Sequence, residues 1–294
     1  MARRNLQEAT VTQRTLHRVI PAMATSDGAG VKLRRSLGSA QFQRLDPFLM
    51  LDEFRSDDPG DYIGGFPAHP HRGFETVTYM LDGHMRHEDN LGNRGDLGPG
   101  DVQWMTAAGG IIHSEMPQQV QGRMRGFQLW VNLASRDKMN PASYRDIPAR
   151  EIPVAALAGG TRVKVICGTV RFEGRDWQGP APRGTAATLY LDLELPAAAQ
   201  LSLPLAQQDN AFLYLYEGEA FVGPQSQRLP VNAAGVLGAG EALTLRAGDT
   251  GARLLVLAGR PIGEPVVQYG PFVMNTREEI DQAISDYQSG RLGT

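Results

Sequence analysis

Apolar runs in this chain are short, and turn residues cut nearly every one of them. "ETVTYML", "DVQWMT", "GFQLWVNL", "RVKVICGTV", "ATLYLDLEL", "AFLYLY" and "ARLLVLAG" are rich in β-branched, aromatic and leucine positions. Turn signals such as "LDGH", "GPGD", "YEGE" and "RAGD" separate many of them. With 34 glycines and 19 prolines in 294 residues, long helical periodicity is scarce, and the pattern is that of an all-β, antiparallel sandwich or barrel. One short amphipathic helix is expected near the C-terminus, in "NTREEIDQAISDYQSG". There Thr276 and Glu279 have capping-box spacing, Ile280, Ala283, Ile284 and Tyr287 share a face, and Gly290 can close the helix.

The segment 135–160 carries Pro141, Pro148 and Pro153 among polar residues and alanines, and reads as a connection between two β-units, 1–145 and 146–294. The halves resemble each other. "TYMLDG", ending at Gly83, parallels "LYLYEG", ending at Gly218; "LGPGDVQWM", from Leu97, parallels "LGAGEALTL", from Leu237. The order is kept, so a duplicated β-barrel is expected. Two barrels can close their own edges, which favours a monomer.

A formal net charge of −3 and no basic stripe argue against direct nucleic-acid binding. No stretch approaches the roughly 20 apolar residues of a membrane span. The start, "MARRNLQEATVTQRTLHRV", is basic without an apolar export core, so a cytoplasmic protein is expected. The single cysteine, Cys167, excludes an internal disulfide and reads as a buried thiol within an apolar strand. "GAGV", "GPGD" and "AAGG" precede no helix with phosphate-loop spacing, which argues against nucleotide binding.

The histidines carry the chemistry. His69 and His71, in "FPAHPHRGFETVTYML", stand two apart, and so do His113 and Glu115 in "GIIHSEMP". On extended chain each pair shares a face, and strands about 4.8 Å apart can aim all four at one ion. Three imidazoles and a carboxylate suit a divalent transition metal such as Fe, Mn, Ni, Cu or Zn rather than Ca or Mg. Glu75 has the parity of His69 and His71 but lies roughly 13 Å beyond His71 along an extended strand. Gly73 between them could bend it closer, so it is a lesser candidate. The positions equivalent to the four ligands in the second half are Pro204, Ala206, Arg253 and Leu255, so only the first half can hold the ion. His84 and His87, in a Gly-, Asn- and Asp-rich turn, and the isolated His17 read as solvated surface residues.

The blocks "VKLRRSLG", "LDPFLMLDEF", "FPAHPHRGFETVTYML", "HEDNLGNRG", "PGDVQWMTA", "GIIHSEMP", "VKVICGT" and "GPFVMNTREEI" run in order over nearly the whole chain and resemble the pirin family of two-barrel cupins. The resemblance implies tandem jelly-roll-like barrels, the first metal-loaded and the second metal-free. It implies one metal, usually iron, held by His69, His71, His113 and Glu115. One departure stands beside the site: the family stretch after "QWMTA" commonly continues with glycine, whereas here Ala108 follows.

The activity so implied is a flavonol dioxygenase opening the central ring of quercetin with release of carbon monoxide. Glu115, or Glu75 nearby, would take the substrate hydroxyl proton. A different class is also implied, a regulatory protein whose metal redox state controls binding to a protein partner; the charged stretch "KLRRS", Lys32 to Ser36, could serve it. A zinc-dependent small-molecule cupin such as a sugar isomerase is a third reading. A cavity large enough for a three-ring substrate would favour the first.

Overall fold

The computed structural model describes residues 11–39, 44–182 and 184–293. Residues 1–10, most of the stretch read as lacking an export signal, lie outside the described residues. The architecture is two tandem antiparallel β-units and a C-terminal helix, Arg277–Gln288. The expected capping box is formed: the Thr276 side chain accepts from the Glu279 N–H, and Glu279 returns to the Thr276 N–H.

In the first unit a seven-stranded sheet runs, in spatial order, Ser143–Ile147, Val102–Thr106, Phe74–Asp82, Met124–Asn132, Phe48–Ser56, Val31–Arg35 and Met23–Asp27. A four-stranded sheet, Phe66–His71, Ile111–Pro117, Met85–Asp89 and Arg94–Leu97, packs over one of its faces. Met85 and Leu97 of the small sheet close a core with Leu33, Phe54, Met80 and Met124 of the large one. Strand side chains alternate between faces. So in Phe74–Asp82 the residues Thr78 and Met80 face the small sheet, while Val77 and Tyr79 face the second unit. There they pack against Tyr190, Phe212, Tyr214 and Leu255 of a nine-stranded sheet, whose other face encloses its own leucine-rich core.

The unit boundary is less simple than a cut at 145/146. That point falls inside the strand Ser143–Ile147, which pairs with Val102–Thr106 and belongs to the first sheet. The chain ends are also exchanged. Leu16–Pro21 pairs with Ala233–Leu237 in the second unit's sheet. The hairpin Val267–Tyr269/Phe272–Met274 and the terminal helix return to the first unit, where Asp286 meets Arg72 at 2.8 Å and Val273 N–H bonds the Arg72 carbonyl at 3.0 Å.

Candidate metal centre

Gly73 decides how the His-x-His strand ends. Its φ is +92°, and a Cβ there would lie 1.9 Å from the Val273 carbonyl oxygen, so no side chain fits. The buried Lys138 ammonium fastens this bend by donating to the carbonyls of Gly73 and Val273 and to Asn132 Oδ1, at 2.7, 2.9 and 2.7 Å. Ala108, whose carbonyl takes the Gly73 N–H at 2.8 Å, has φ +41°, in the region that glycine favours. The departure at that position therefore lies in a turn that braces the site.

Before this bend, Phe66–His71 pairs antiparallel with Ile111–Pro117, setting His69 directly opposite His113. The metal-ligating atoms of His69, His71 and His113 all lie within 4.8 Å of one another. The imidazole Nε2 atoms of His69 and His71 approach to 3.0 Å. His69 Nδ1 sits 2.8 Å from the Pro67 carbonyl and donates to it, so Nε2 is the nitrogen that faces the cluster. His113 Nε2 is buried with no hydrogen-bond partner. Burial, followed by the neighbouring imidazoles, holds His71 and His113 well below the usual histidine range, hence neutral. Imidazoles converging in the interior, two of them held neutral, are a donor set that suits a transition metal. The three histidines fit an ion.

Glu115 lies one strand alternation beyond His113 but outside the cluster of three. A register shift between His113 and Glu115 separates them, and the Glu115 carboxylate accepts from Thr78 Oγ1 at 2.8 Å and Gln128 Nε2 at 3.0 Å. Both donors project from the large sheet, and Gln128 lines the same cavity as Glu115.

Glu75 is placed otherwise than the parity argument allowed. The bend at Gly73 breaks the parity, and Glu75 accepts from Thr106 Oγ1 at 2.9 Å and from Thr185 Oγ1 of the second unit at 2.5 Å. Thr78, which reaches Glu115, stands three residues on and therefore on the opposite face. Burial pushes the Glu75 carboxyl above its usual range, and burial with the Glu75 charge pushes the Cys167 thiol up to about 12. Glu75 is part of the packing between units, and the role of proton acceptor at the metal does not suit it. Cys167 is buried, as its strand suggested.

His84 and His17 are exposed, as expected, but His87 is not. Its side chain is fully buried on Met85–Asp89, opposite Glu115, with Nδ1 3.1 Å from His113 Nδ1 and its ring stacked on Tyr144. Turn composition suggested solvent; the long-range pairing with Ile111–Pro117 overrides it. An ion on His113 Nε2 requires Nδ1–H, so His87 Nδ1 accepts and its own proton sits on Nε2, 3.7 Å from Asp89 Oδ2. Replacing His87 with phenylalanine keeps the stacking and removes the acceptor. It is expected to weaken metal binding about 10–100-fold in chelator competition, with His87→Asn, whose amide oxygen can still accept, losing less. Equal affinity in all three proteins would refute the His87–His113 link.

His69 and His71 open onto a cavity of about 630 Å³. His69, His71, Glu115 and Gln128 line its inner end, and Leu33, Leu49, Met50, Phe54, Phe66 and Trp130 form apolar walls. At its rim Arg35 grips Asp52 through two bonds of 2.8 and 2.7 Å. Of the "KLRRS" stretch, Lys32 pairs with Asp61 at 2.5 Å, Arg35 faces the cavity and Ser36 is buried. Gln128 and Trp130 in the cavity, and Thr78 behind Glu115, were within reach of the strand alternation that placed the histidines; Arg44, also in the cavity, carries no such signal.

The Pirin family model matches residues 30–131 and the Pirin C-terminal cupin domain matches residues 190–293. A Pseudomonas aeruginosa protein provisionally named a quercetin 2,3-dioxygenase is 54% identical over 280 residues, covering 94% of this chain and 96% of that one. A pirin-like protein of Caulobacter vibrioides is 52% identical, covering 95% and 99%. Among solved structures, a quercetin 2,3-dioxygenase from Acinetobacter baumannii superposes with a TM-score of 0.86 at 32% identity, covering 96% of this chain and 99% of that one.

Proposed function

The chain belongs to the pirin family of two-barrel cupins, and from that premise we propose that it is a metal-dependent dioxygenase opening the central ring of flavonols such as quercetin with release of carbon monoxide. What carries the reading is that His69 and His71, whose ligand atoms converge with that of His113, line a cavity of about 630 Å³. That is the size range of pockets that enclose multi-ring ligands, ~300–1,000 Å³.

His69, His71 and His113 would hold the ion, and Glu115 would complete the set from the neighbouring alternation position. When bound, a redox-active divalent metal, iron ahead of manganese, nickel or copper, supplies Lewis acidity at an enol oxygen and an electron path to O2. The rest falls to side chains. Trp130, Phe66 and Leu49 give an apolar wall for the rings, and a bound substrate that displaces water would strengthen the charge interactions inside. Thr78 and Gln128 each donate to one oxygen of Glu115, which keeps the carboxylate turned to the cavity. Glu115 accepts the flavonol hydroxyl proton, raising electron density on the ring to be cleaved.

The test is anaerobic purification, metal analysis by mass spectrometry, then quercetin and air with carbon monoxide detection. Loss of the flavonol absorption with stoichiometric carbon monoxide, dependent on bound metal, is expected. Full metal occupancy without turnover would overturn the reading and leave the protein-partner role ahead.

A further inference from the structure

Arg44 stands in the same cavity as His69 and His71 and, among the described residues, lacks an acidic partner. It is half-buried, and among the described residues its side chain donates to Gln268 Oε1, a neutral acceptor. Arginines withdrawn from water are normally paired with carboxylates, because a neutral amide leaves the charge uncompensated. The other acidic groups of the cavity are committed. Asp52 and Asp27 both accept from Arg35, Asp27 at 3.0 Å, and Glu115 faces Thr78 and Gln128. The excess negative charge of the Arg35 group lies at Asp27, on the exposed side of the rim.

The placement of Arg44 is tied to the metal end. Gln268 belongs to the hairpin Val267–Tyr269/Phe272–Met274, and Pro271 in its turn accepts the Arg72 N–H at 3.3 Å. Arg72 directly follows His71. One hairpin therefore holds the neutral partner of Arg44 and braces the histidine strand.

We propose that Arg44 is a specificity-determining residue that selects substrates carrying a carboxylate on the ring system whose hydroxy-ketone end faces the histidines. The proposal rests on the metal-site reading above and adds a preference within its hydroxy-ketone substrate class, for members that also carry a carboxylate. The charge count agrees: a divalent ion with one carboxylate ligand and an unneutralised guanidinium match an enolate and a carboxylate on one molecule. The guanidinium presents two parallel N–H groups, the geometry that a carboxylate accepts and a neutral hydroxyl does not. Gln268 keeps that fork engaged until a carboxylate replaces it.

Kojic acid and comenic acid form a matched pair of probes. They share a hydroxypyranone chelate and differ in a hydroxymethyl against a carboxylate. Calorimetric titration of each into anaerobically iron-loaded protein is expected to show comenate binding about tenfold more tightly than kojate, the yield of one charge-assisted pair. Arg44→Gln, with metal content verified, is expected to lose that preference while kojate affinity changes less than about twofold, and Arg44→Lys to keep part of it. Equal affinities in the unaltered protein, or a preference that survives Arg44→Gln, would overturn the proposal. Because binding is read and not turnover, the two readings fail separately. An Arg44-dependent preference without quercetin cleavage sinks the flavonol dioxygenase activity alone; cleavage without the preference sinks this inference alone.

Discussion

His71→Ala is expected to yield a folded protein without metal. The His71 side chain is buried, and its Nε2 lies 3.0 Å from that of His69. Its ring stands edge-on to Phe74 at 5.1 Å and Trp130 at 5.3 Å, so its direction is set by packing before any ion arrives. Removing it deletes one of three converging nitrogens. The loss of affinity should exceed the ~10–100-fold that an outer partner such as His87 commands. The vacated volume beside Phe74 and Trp130 costs on the order of 2–4 kcal/mol. Domains are stable by roughly 5–15 kcal/mol, so the variant should still fold. Metal per chain by mass spectrometry and melting with and without added metal give the check. The unaltered protein should gain melting temperature with metal, since an ion binding only the native state stabilises it, and the variant should not. One equivalent of metal retained by the variant would remove His71 from the ligand set.

How far the fold and site were legible in sequence depends on range. The alternation in "ETVTYML" placed a strand, and the i, i+2 spacings of His69 with His71 and of His113 with Glu115 aimed each pair to one face, because strand geometry is local. The terminal helix was legible for the same reason: Thr276 and Glu279 need only each other. Parity failed at Gly73, where a hairpin some 200 residues downstream closes over the bend and turns Glu75 toward Thr185. His87 was misread because its burial comes from pairing opposite Glu115, which no feature of "HMRHEDN" announces. The exchanged ends are of the same kind. Leu16 opposite Leu237 is a contact between residues 221 positions apart, and composition within either half is silent about it. Arg44 belongs here too, since its meaning lies in what the distant Gln268 fails to neutralise.

Two carboxylates were candidates for proton transfer, and the geometry separates them into opposite expectations. Glu115→Gln is expected to keep its fold, because Thr78 can rotate its hydroxyl and Gln128 can present its amide oxygen to the new amide. What it loses is the charge and the ability to take a proton. With metal content matched to the unaltered protein, kcat on quercetin is expected to fall by about 10²–10⁴-fold, the range for loss of a positioned general base. KM should change far less, since the apolar walls that hold the rings are untouched. Glu115→Asp keeps the carboxylate at a shorter reach and should recover part of the rate. Glu75→Gln serves as the contrast. Its carboxyl sits between Thr106 and Thr185 on the far face of the sheet, so turnover should stay within about twofold. Burial already disfavours the Glu75 charge, so an amide there also costs little stability. Steady-state rates across these three variants at equal metal loading decide the assignment. Full flavonol cleavage by Glu115→Gln would end the role of Glu115, and a collapse in Glu75→Gln at intact stability would return it to the residue that the geometry places between the two units.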